Sequence, residues 1–324
     1  MLNQAGALIH IYTDGSVSVS TGAVEMGQGV LTKLRRMVAL ALGISESRVR
    51  LESTNTSRVA NMSPTAASTG ADLNGGAALN ACRLILERLK QVAADLTASS
   101  PEQINIRNER VWVDEKGSVF QWNELIQTAY AKRVDLSAHA FYATPNIDYD
   151  KQNEKGRPFA YHVRGAAIVE ARLDVLRATA AIDAVRIIHD AGRSLDPLVD
   201  QGQVEGAVVQ GIGWMTIEEL VYDTTGRLLS DSPATYKVPD LHFIPRDIEV
   251  VFMEDSEDPA AVMHTKAIGE PPFMYGIGAY FAIRDAVRAV RDIPFDHFRA
   301  PLTNEYILEL LEGPKSGKKS RKKD

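Results

Sequence analysis

Apolar and polar residues alternate along residues 7–21, broken once at Asp14-Gly15, the pattern of two half-buried strands joined by a tight turn. From Leu31 the period changes. Leu31, Leu34, Val38, Ala41 and Leu42 fall on one helical face, and Gly43 stands where that helix would close. After a short strand at 49–53, Leu73, Ala77, Ala81, Ile85 and Leu89 recur at four-residue steps and predict a longer helix. Its Gly75, Gly76 and Ala78 would let it approach a neighbour closely. Residues 104–120 read as a second hairpin turning at Lys116-Gly117, followed by a short helix over about 123–131 and a strand over 136–143. Residues 144–158 are polar and carry Pro145 and Pro158, which places the boundary between two halves there.

The second half opens as the first does. Alternating strands at 160–173 and 178–190 lead into Gly192-Arg193-Ser194-Leu195-Asp196-Pro197 and a helix through Gly202-Gln203-Val204-Glu205-Gly206 to Trp214. A hairpin around Thr225-Gly226 and a buried strand at 248–253 are expected before Lys266-Ala267-Ile268-Gly269-Glu270-Pro271-Pro272-Phe273. Beyond it Phe273, Ile277, Phe281, Ile283, Val287 and Val290 form a helical apolar stripe. The pattern predicts an α+β chain of two related sheet-and-helix halves, residues 1–150 and 151–311, with a basic disordered tail over 312–324.

Three places could carry chemistry. Strand, glycine-rich turn (Gly27-Gln28-Gly29) and helix start together make a natural anion site, since free backbone N–H groups and the helix dipole converge there, or simply a tight turn. Thr32 occupies the position where a dinucleotide fingerprint would need its third glycine. Ser63-Pro64-Thr65-Ala66-Ala67-Ser68-Thr69-Gly70, almost all small, brings its backbone close to another element or to a ligand. Gln203 stands in the place equivalent to Gln28, and an amide offers both donors and an acceptor. Glu270 precedes two prolines. Proline suits the first helical position and pushes its predecessor towards extended backbone. Glu270 is therefore expected on a stiff corner off a helix N-terminus, a mounting that suits a base, or one that merely places a carboxylate near the positive helix end.

Composition narrows the classes. The 324 residues are 45% hydrophobic and 24% charged, as in an ordinary globular protein. No apolar run approaches the ~18 residues of a membrane span, and the first residues show no secretory signal. The single Cys82 excludes an internal disulfide or a four-thiolate iron–sulfur cluster from this chain, and its apolar neighbours predict a buried, inert thiol in an intracellular setting. The net charge of −6 hides a tail from Lys315 to Asp324 with six basic residues and one acid, so the body is strongly acidic and unsuited to nucleic acid. Seven scattered histidines show no metal-ligand spacing, so no protein-ligated metal is expected.

Taken in order, Gly22-Ala23-Val24-Glu25-Met26-Gly27-Gln28-Gly29-Val30-Leu31-Thr32-Lys33, Ser63 to Ser68, Asp200-Gln201-Gly202-Gln203-Val204-Glu205-Gly206 and Lys266 to Pro272 resemble motifs of the molybdenum hydroxylases. Their spacing is similar to the second molybdopterin-binding region of the xanthine dehydrogenase and aldehyde oxidase family, over about residues 2–292. The xanthine dehydrogenase branch is the more similar, from Leu2-Asn3-Gln4-Ala5-Gly6-Ala7, Tyr142-Ala143-Thr144-Pro145-Asn146 and Gly156-Arg157-Pro158-Phe159.

The resemblance implies mainly antiparallel sheets with packed helices. It implies molybdenum–molybdopterin as cofactor, the metal held by the pterin dithiolene and not by protein ligands. Gly27, Gln28, Gly29, Thr65, Ala66, Ala67, Ser68 and Gln203 would contact the cofactor, and Glu270 would be the general base. The implied reaction is oxidative hydroxylation of hypoxanthine or xanthine. The alternatives are an aldehyde oxidase, another azaheterocycle hydroxylase, or a non-catalytic fragment that only binds partner subunits. Implied partners are the preceding half of the molybdenum-binding polypeptide, a subunit carrying iron–sulfur clusters and FAD, and a purine or N-heterocycle. Neither nucleic acid nor membrane is expected, and the location is expected to be cytoplasmic. In the family this region starts mid-domain, so the chain is expected to be a split-gene product or a truncated remnant, with the substrate clamp elsewhere.

Overall fold

A computed structural model of the chain describes residues 3–114 and 117–313, which divide into two compact units. Of the described residues, the first unit takes those up to 162 with 191–199 and 255–267; the second takes 163–190, 200–254 and those from 268 onward. The chain thus passes between units several times, where a single boundary after residue 150 is expected from the proline-containing polar stretch. Segment 191–199 joins the first unit for identifiable reasons. Leu195 is buried with Val30, Leu34 and Met37, and the Arg36 guanidinium donates to the Leu195 carbonyl while pairing with Glu46 (2.7 Å) and Asp196 (3.6 Å). A polar loop can be claimed by whichever core its few apolar residues fill, and sequence spacing does not show which.

The first unit begins with a hairpin, β1 (Gln4–Ile11) and β2 (Val17–Thr21), turning at Gly15 with φ +82°. Next come helix α1 (Val30–Leu42), strand β3 (Val49–Leu51) parallel to β2, and the long helix α2 (Gly70–Thr97). Gly43 closes α1 in the left-handed conformation, as the periodicity predicts. A small sheet of β4 (Ile104–Arg107), β5 (Arg110–Val113) and β6 (Gly117–Gln121) leads to α3 (Trp122–Ala131) and to β7 (Ser137–Ala143), which pairs with β1. The short pair β8 (Asp148–Asp150) and β9 (Lys155–Arg157) ends this stretch. Residues 104–121 are therefore three strands, not one hairpin. The missed turn is Asn108-Glu109, both at positive φ (51° and 57°) without a glycine to signal it. The expected turn residue Lys116 lies outside the described residues.

The four-stranded sheet β3-β2-β1-β7 is covered by α2, whose Leu73, Ala77, Ala81, Ile85 and Leu89 are all buried in one core with Ile9, Val19 and Trp122. Cys82 lies in that core, and burial pushes its thiol up to about 12. The helix glycines are explained by close approach. A Cβ on Gly75 would sit 2.3 Å from Met37 Sδ, and one on Gly76 would sit 2.6 Å from the Tyr142 ring.

The second unit repeats the strand-strand-helix-strand order. Strands β10 (Gly165–Asp174) and β11 (Thr179–His189) form a hairpin, α4 (Pro197–Thr216) follows, and β12 (Asp247–Phe252) returns parallel to β11. A seven-residue 3-10 helix, Pro271–Ile277, runs into α5 (Gly278–Val290), and α6 (Asn304–Glu312) closes the unit. Its core gathers Ala178, Ile283, Val287, Phe298, Leu302 and Ile307. Three expectations are corrected here. Of the hairpin expected around Thr225-Gly226, the structure keeps only an isolated bridge, Tyr222 to Leu228. Strand β12 alternates between exposed and half-buried residues, because it lies at the edge of a three-stranded sheet; it is not a fully buried strand. Of the helical stripe, Phe281 and Val290 are exposed, while Ala279, Ile283 and Val287 carry the packing. Glu312 closes α6 instead of opening a tail, and residues 314–324 lie outside the described residues. Among the described residues no helix is long and apolar enough to cross a membrane.

Candidate active site

The glycine turn before α1 is not an open anion cradle. Glu25 folds back into it, its carboxylate accepting from the N–H groups of Gly27 (2.9 Å), Gly29 (3.0 Å) and Leu31 (3.0 Å). Burial opposes the charge, but these backbone donors outweigh it and hold the carboxyl below its ordinary range. The N–H groups expected to be free are therefore taken, by a residue two positions ahead of the glycines. Gln28 is spent locally as well: its amide donates to the Val24 carbonyl (2.8 Å) and accepts from the Met26 N–H (2.6 Å). Gly29, at φ +75°, caps α1, and a Cβ there would approach Val199 Cγ1 to 2.5 Å. Gly29→Val is thus expected to destabilise the first unit by roughly 1–3 kcal/mol in chemical denaturation, for its strained φ alone. Gln28→Ala, which removes only bracing hydrogen bonds, is expected to cost less.

The small-residue loop lies beside this turn. The Thr65 hydroxyl accepts from the Val24 N–H (3.0 Å), and a Cβ on Gly70 would lie 3.5 Å from Val30, so α1 and α2 begin close together. Ala67 and Ser68 both have positive φ (55° and 54°), a strained conformation for residues with a Cβ. Among the described residues, the N–H groups of Ala67, Ser68, Gly70 and Ala71 make no hydrogen bond within the chain. This is the donor set an anionic group needs, at a helix start where the dipole favours negative charge.

In the second unit Gln203 is half-buried on α4, between Gly202 and Gly206. A Cβ on either glycine would meet nothing, so the main chain is bare there. Glu270 is exposed and sits at the start of the 3-10 helix with φ −102°, ψ −39°. The extended conformation expected of a residue before proline is not adopted. The Glu270 carbonyl instead accepts the helix's first hydrogen bond, from the Phe273 N–H at 3.0 Å, and α-region backbone is what aims it there.

Residues 265–267, which precede Glu270 in sequence, are tied within the first unit. Ala267 N–H donates to the Tyr161 hydroxyl (2.9 Å), which donates to Asp72 Oδ2 (2.5 Å) in the first turn of α2. Burial pushes the Asp72 carboxyl up to about 6, with the Tyr161 hydrogen bond and the Lys33 charge opposing, and burial raises the Tyr161 phenol. Lys266 N–H donates to the Ala191 carbonyl (3.0 Å), and Gly192 bridges to Thr265. Sequence reasoning missed Glu25, Asp72 and Tyr161. Only Glu25 left a signal, an acid directly ahead of N–H groups that need an acceptor; Tyr161 and Asp72 are 89 residues apart.

A family model described as "Molybdopterin cofactor-binding domain" matches residues 1–245. The chain belongs to this family. The molybdopterin-binding assignment agrees with curated relatives: chain and relative are 41% identical over 291 residues for "Xanthine dehydrogenase/oxidase" of Gallus gallus, and 40% over 293 residues for "Xanthine dehydrogenase" of Dictyostelium discoideum. Each match takes in 90% of this chain but only 20% of the relative, so the chain spans about a fifth of those proteins. Among solved structures, quinoline 2-oxidoreductase from Pseudomonas putida 86 superposes with a TM-score of 0.81 at 25% identity, over 95% of this chain and 38% of that one. The Cu,Mo-CO dehydrogenase gives 0.82 at 22% identity, over 95% and 37%, and confirms the fold. The resemblance to a molybdenum hydroxylase cofactor-binding region, and the α+β class, therefore hold.

The cofactor of such a domain is molybdenum–molybdopterin, and the residues present fit it at one loop better than at the other. Ala67, Ser68, Gly70 and Ala71 offer N–H donors with no partner among the described residues, while Gly27 and Gly29 are already satisfied by Glu25.

Proposed function

We propose that this chain supplies the general base and part of the cofactor cradle of a xanthine dehydrogenase-like hydroxylase acting on hypoxanthine or xanthine. The supporting observation is that relatives about 40% identical carry the xanthine dehydrogenase name, while quinoline 2-oxidoreductase and the Cu,Mo-CO dehydrogenase are 25% and 22% identical.

In this reading the backbone donors of Ala66, Ala67 and Ser68, the Thr65 hydroxyl and the Gln203 amide hold the cofactor. Gly27, Gln28 and Gly29, braced by Glu25, set the turn beside it. The bound cofactor supplies the oxidising centre and the activated oxygen for an electron-poor ring carbon. Glu270 accepts the proton released as the carbon–oxygen bond forms, on a carboxylate oxygen left unencumbered by any cap to its own helix. The remaining partners are the preceding half of the molybdenum-binding polypeptide and a subunit with iron–sulfur clusters and FAD, because one cysteine gives electrons no route out.

Purification tests this reading. The chain expressed alone is expected to hold little molybdenum and to show no xanthine oxidation with an artificial electron acceptor. Co-expression with the preceding half and the iron–sulfur/FAD subunit is expected to raise both. Full molybdenum loading and xanthine turnover by the chain alone would refute the division of the site.

A further inference from the structure

Glu270 owes its place to its main chain, since its side chain makes no cap, and that main chain is continuous with the 3-10 helix Pro271–Ile277. A free 3-10 helix of this length is weak, because its hydrogen bonds are poorly aligned. Here it is pinned to other elements of the second unit. Gly276 lies against the main chain of Gly211 on α4: a Cβ on Gly276 would come within 2.4 Å of the Gly211 carbonyl carbon, and one on Gly211 within 2.2 Å of the Phe273 carbonyl oxygen. The Phe273 ring packs on Trp214, 5.3 Å between centroids at 35°. These contacts are steric and apolar. They set the distance between the helix and α4.

A further contact is directional. The Tyr275 hydroxyl lies 2.8 Å from Nδ1 of His189, the last residue of β11, and the two rings meet edge-on at 5.7 Å. His189 is fully buried, and its Nε2 has no hydrogen-bond partner among the described residues. An imidazole with a buried nitrogen unpaired is a costly filler where an aliphatic side chain would pack as well. Among the described residues its side-chain hydrogen bond is the one to Tyr275. The neighbouring strand leaves room for it: Gly165 pairs with His189 across the hairpin, and a Cβ there would fall 1.8 Å from the Tyr275 hydroxyl. A strand glycine, a buried histidine and a tyrosine from three separate elements thus converge on one hydrogen bond, five residues beyond Glu270.

We propose that His189 is a positioning residue for Glu270, acting through the Tyr275 hydroxyl to fix the rotation of the helix that carries the base. This inference rests on the reading of Glu270 as proton acceptor, although the geometric part stands without it. Misplacing a reacting group by ~1 Å costs on the order of 10²-fold in rate. Loss of the hydrogen bond is therefore expected to appear in kcat and not in KM.

The test uses four variants and two readouts. In the full chain, hydrogen exchange of the Phe273 amide reports the turn at Glu270 directly, without cofactor or activity. Tyr275→Phe and His189→Leu are expected to speed that exchange at least tenfold. His189→Asn, whose amide can reach the position of Nδ1, is expected to stay within about threefold of wild type. In the co-expressed enzyme at matched molybdenum content, Tyr275→Phe is expected to lower kcat roughly ten- to a hundredfold with KM within twofold. Exchange unchanged in Tyr275→Phe, or His189→Asn as fast as His189→Leu, would overturn the proposal by showing that packing alone holds the helix. Altered exchange with normal kcat would overturn it too. Glu270→Gln, run alongside, separates the two ideas: if that variant keeps full activity the proton-acceptor reading falls, while the exchange comparison still decides whether His189 holds the helix.

Discussion

Glu270→Gln in the co-expressed enzyme is expected to keep its molybdenum and lose at least the ~10²–10⁴-fold in kcat typical of a removed general base. The amide matches the carboxylate in shape and can occupy the same exposed place ahead of Pro271, so neither the 3-10 helix nor its docking on α4 should change. What disappears is the capacity to take a proton. The fall should therefore persist across pH, with no recovery at alkaline values. Metal analysis and steady-state kinetics on the same preparation check this. Turnover within a few-fold of wild type at equal molybdenum would remove Glu270 from the chemistry.

The second large effect concerns stability against pH, where the two units are expected to respond in opposite directions. In the first unit Asp72 is raised from 3.8 to about 6 by burial. The folded state holds that proton more tightly than the unfolded chain, so its contribution is fully present below pH ~4 and is lost as pH rises through ~6. In the second unit His189 is lowered from 6.5 to about 4, by burial working against Asp190 and Asp200. Its contribution is present above pH ~6.5 and is lost as pH falls towards ~4. Each displacement corresponds to an effect on the order of 3 kcal/mol across the window. Relative to wild type, Asp72→Asn should gain stability as pH rises from 4 to 7, and His189→Asn should gain it as pH falls over the same range. Chemical denaturation at several pH values, followed by hydrogen exchange for each unit, measures both. Two variants that track the wild-type pH dependence in parallel would show that neither group titrates with folding.

Much of this protein was readable from the chain. The hairpin at Asp14-Gly15, the closing of α1 at Gly43, the long buried stripe of α2 and the recurrence of the strand-strand-helix-strand order all depend on residues close in sequence, where periodicity and turn chemistry act locally. The family motifs are local as well, and four of them in order identified the cofactor-binding class. What sequence could not decide was how those motifs are wired. That Glu25 fills the glycine turn depends on a side chain turning back instead of out, a choice set by unpaired N–H groups that only exist once α1 has formed. That Glu270 takes helical backbone despite Pro271 depends on a hydrogen bond from Phe273 and on the contact of Gly276 with Gly211, 65 residues away in sequence. The ties from Tyr161 to Asp72 and from Tyr275 to His189 join residues 89 and 86 positions apart, each an ordinary residue type with no spacing signal. Local patterning chose the elements and named the cofactor. Long-range packing of glycines and buried hydrogen bonds chose where the carboxylate stands, because only the folded chain brings those partners within reach.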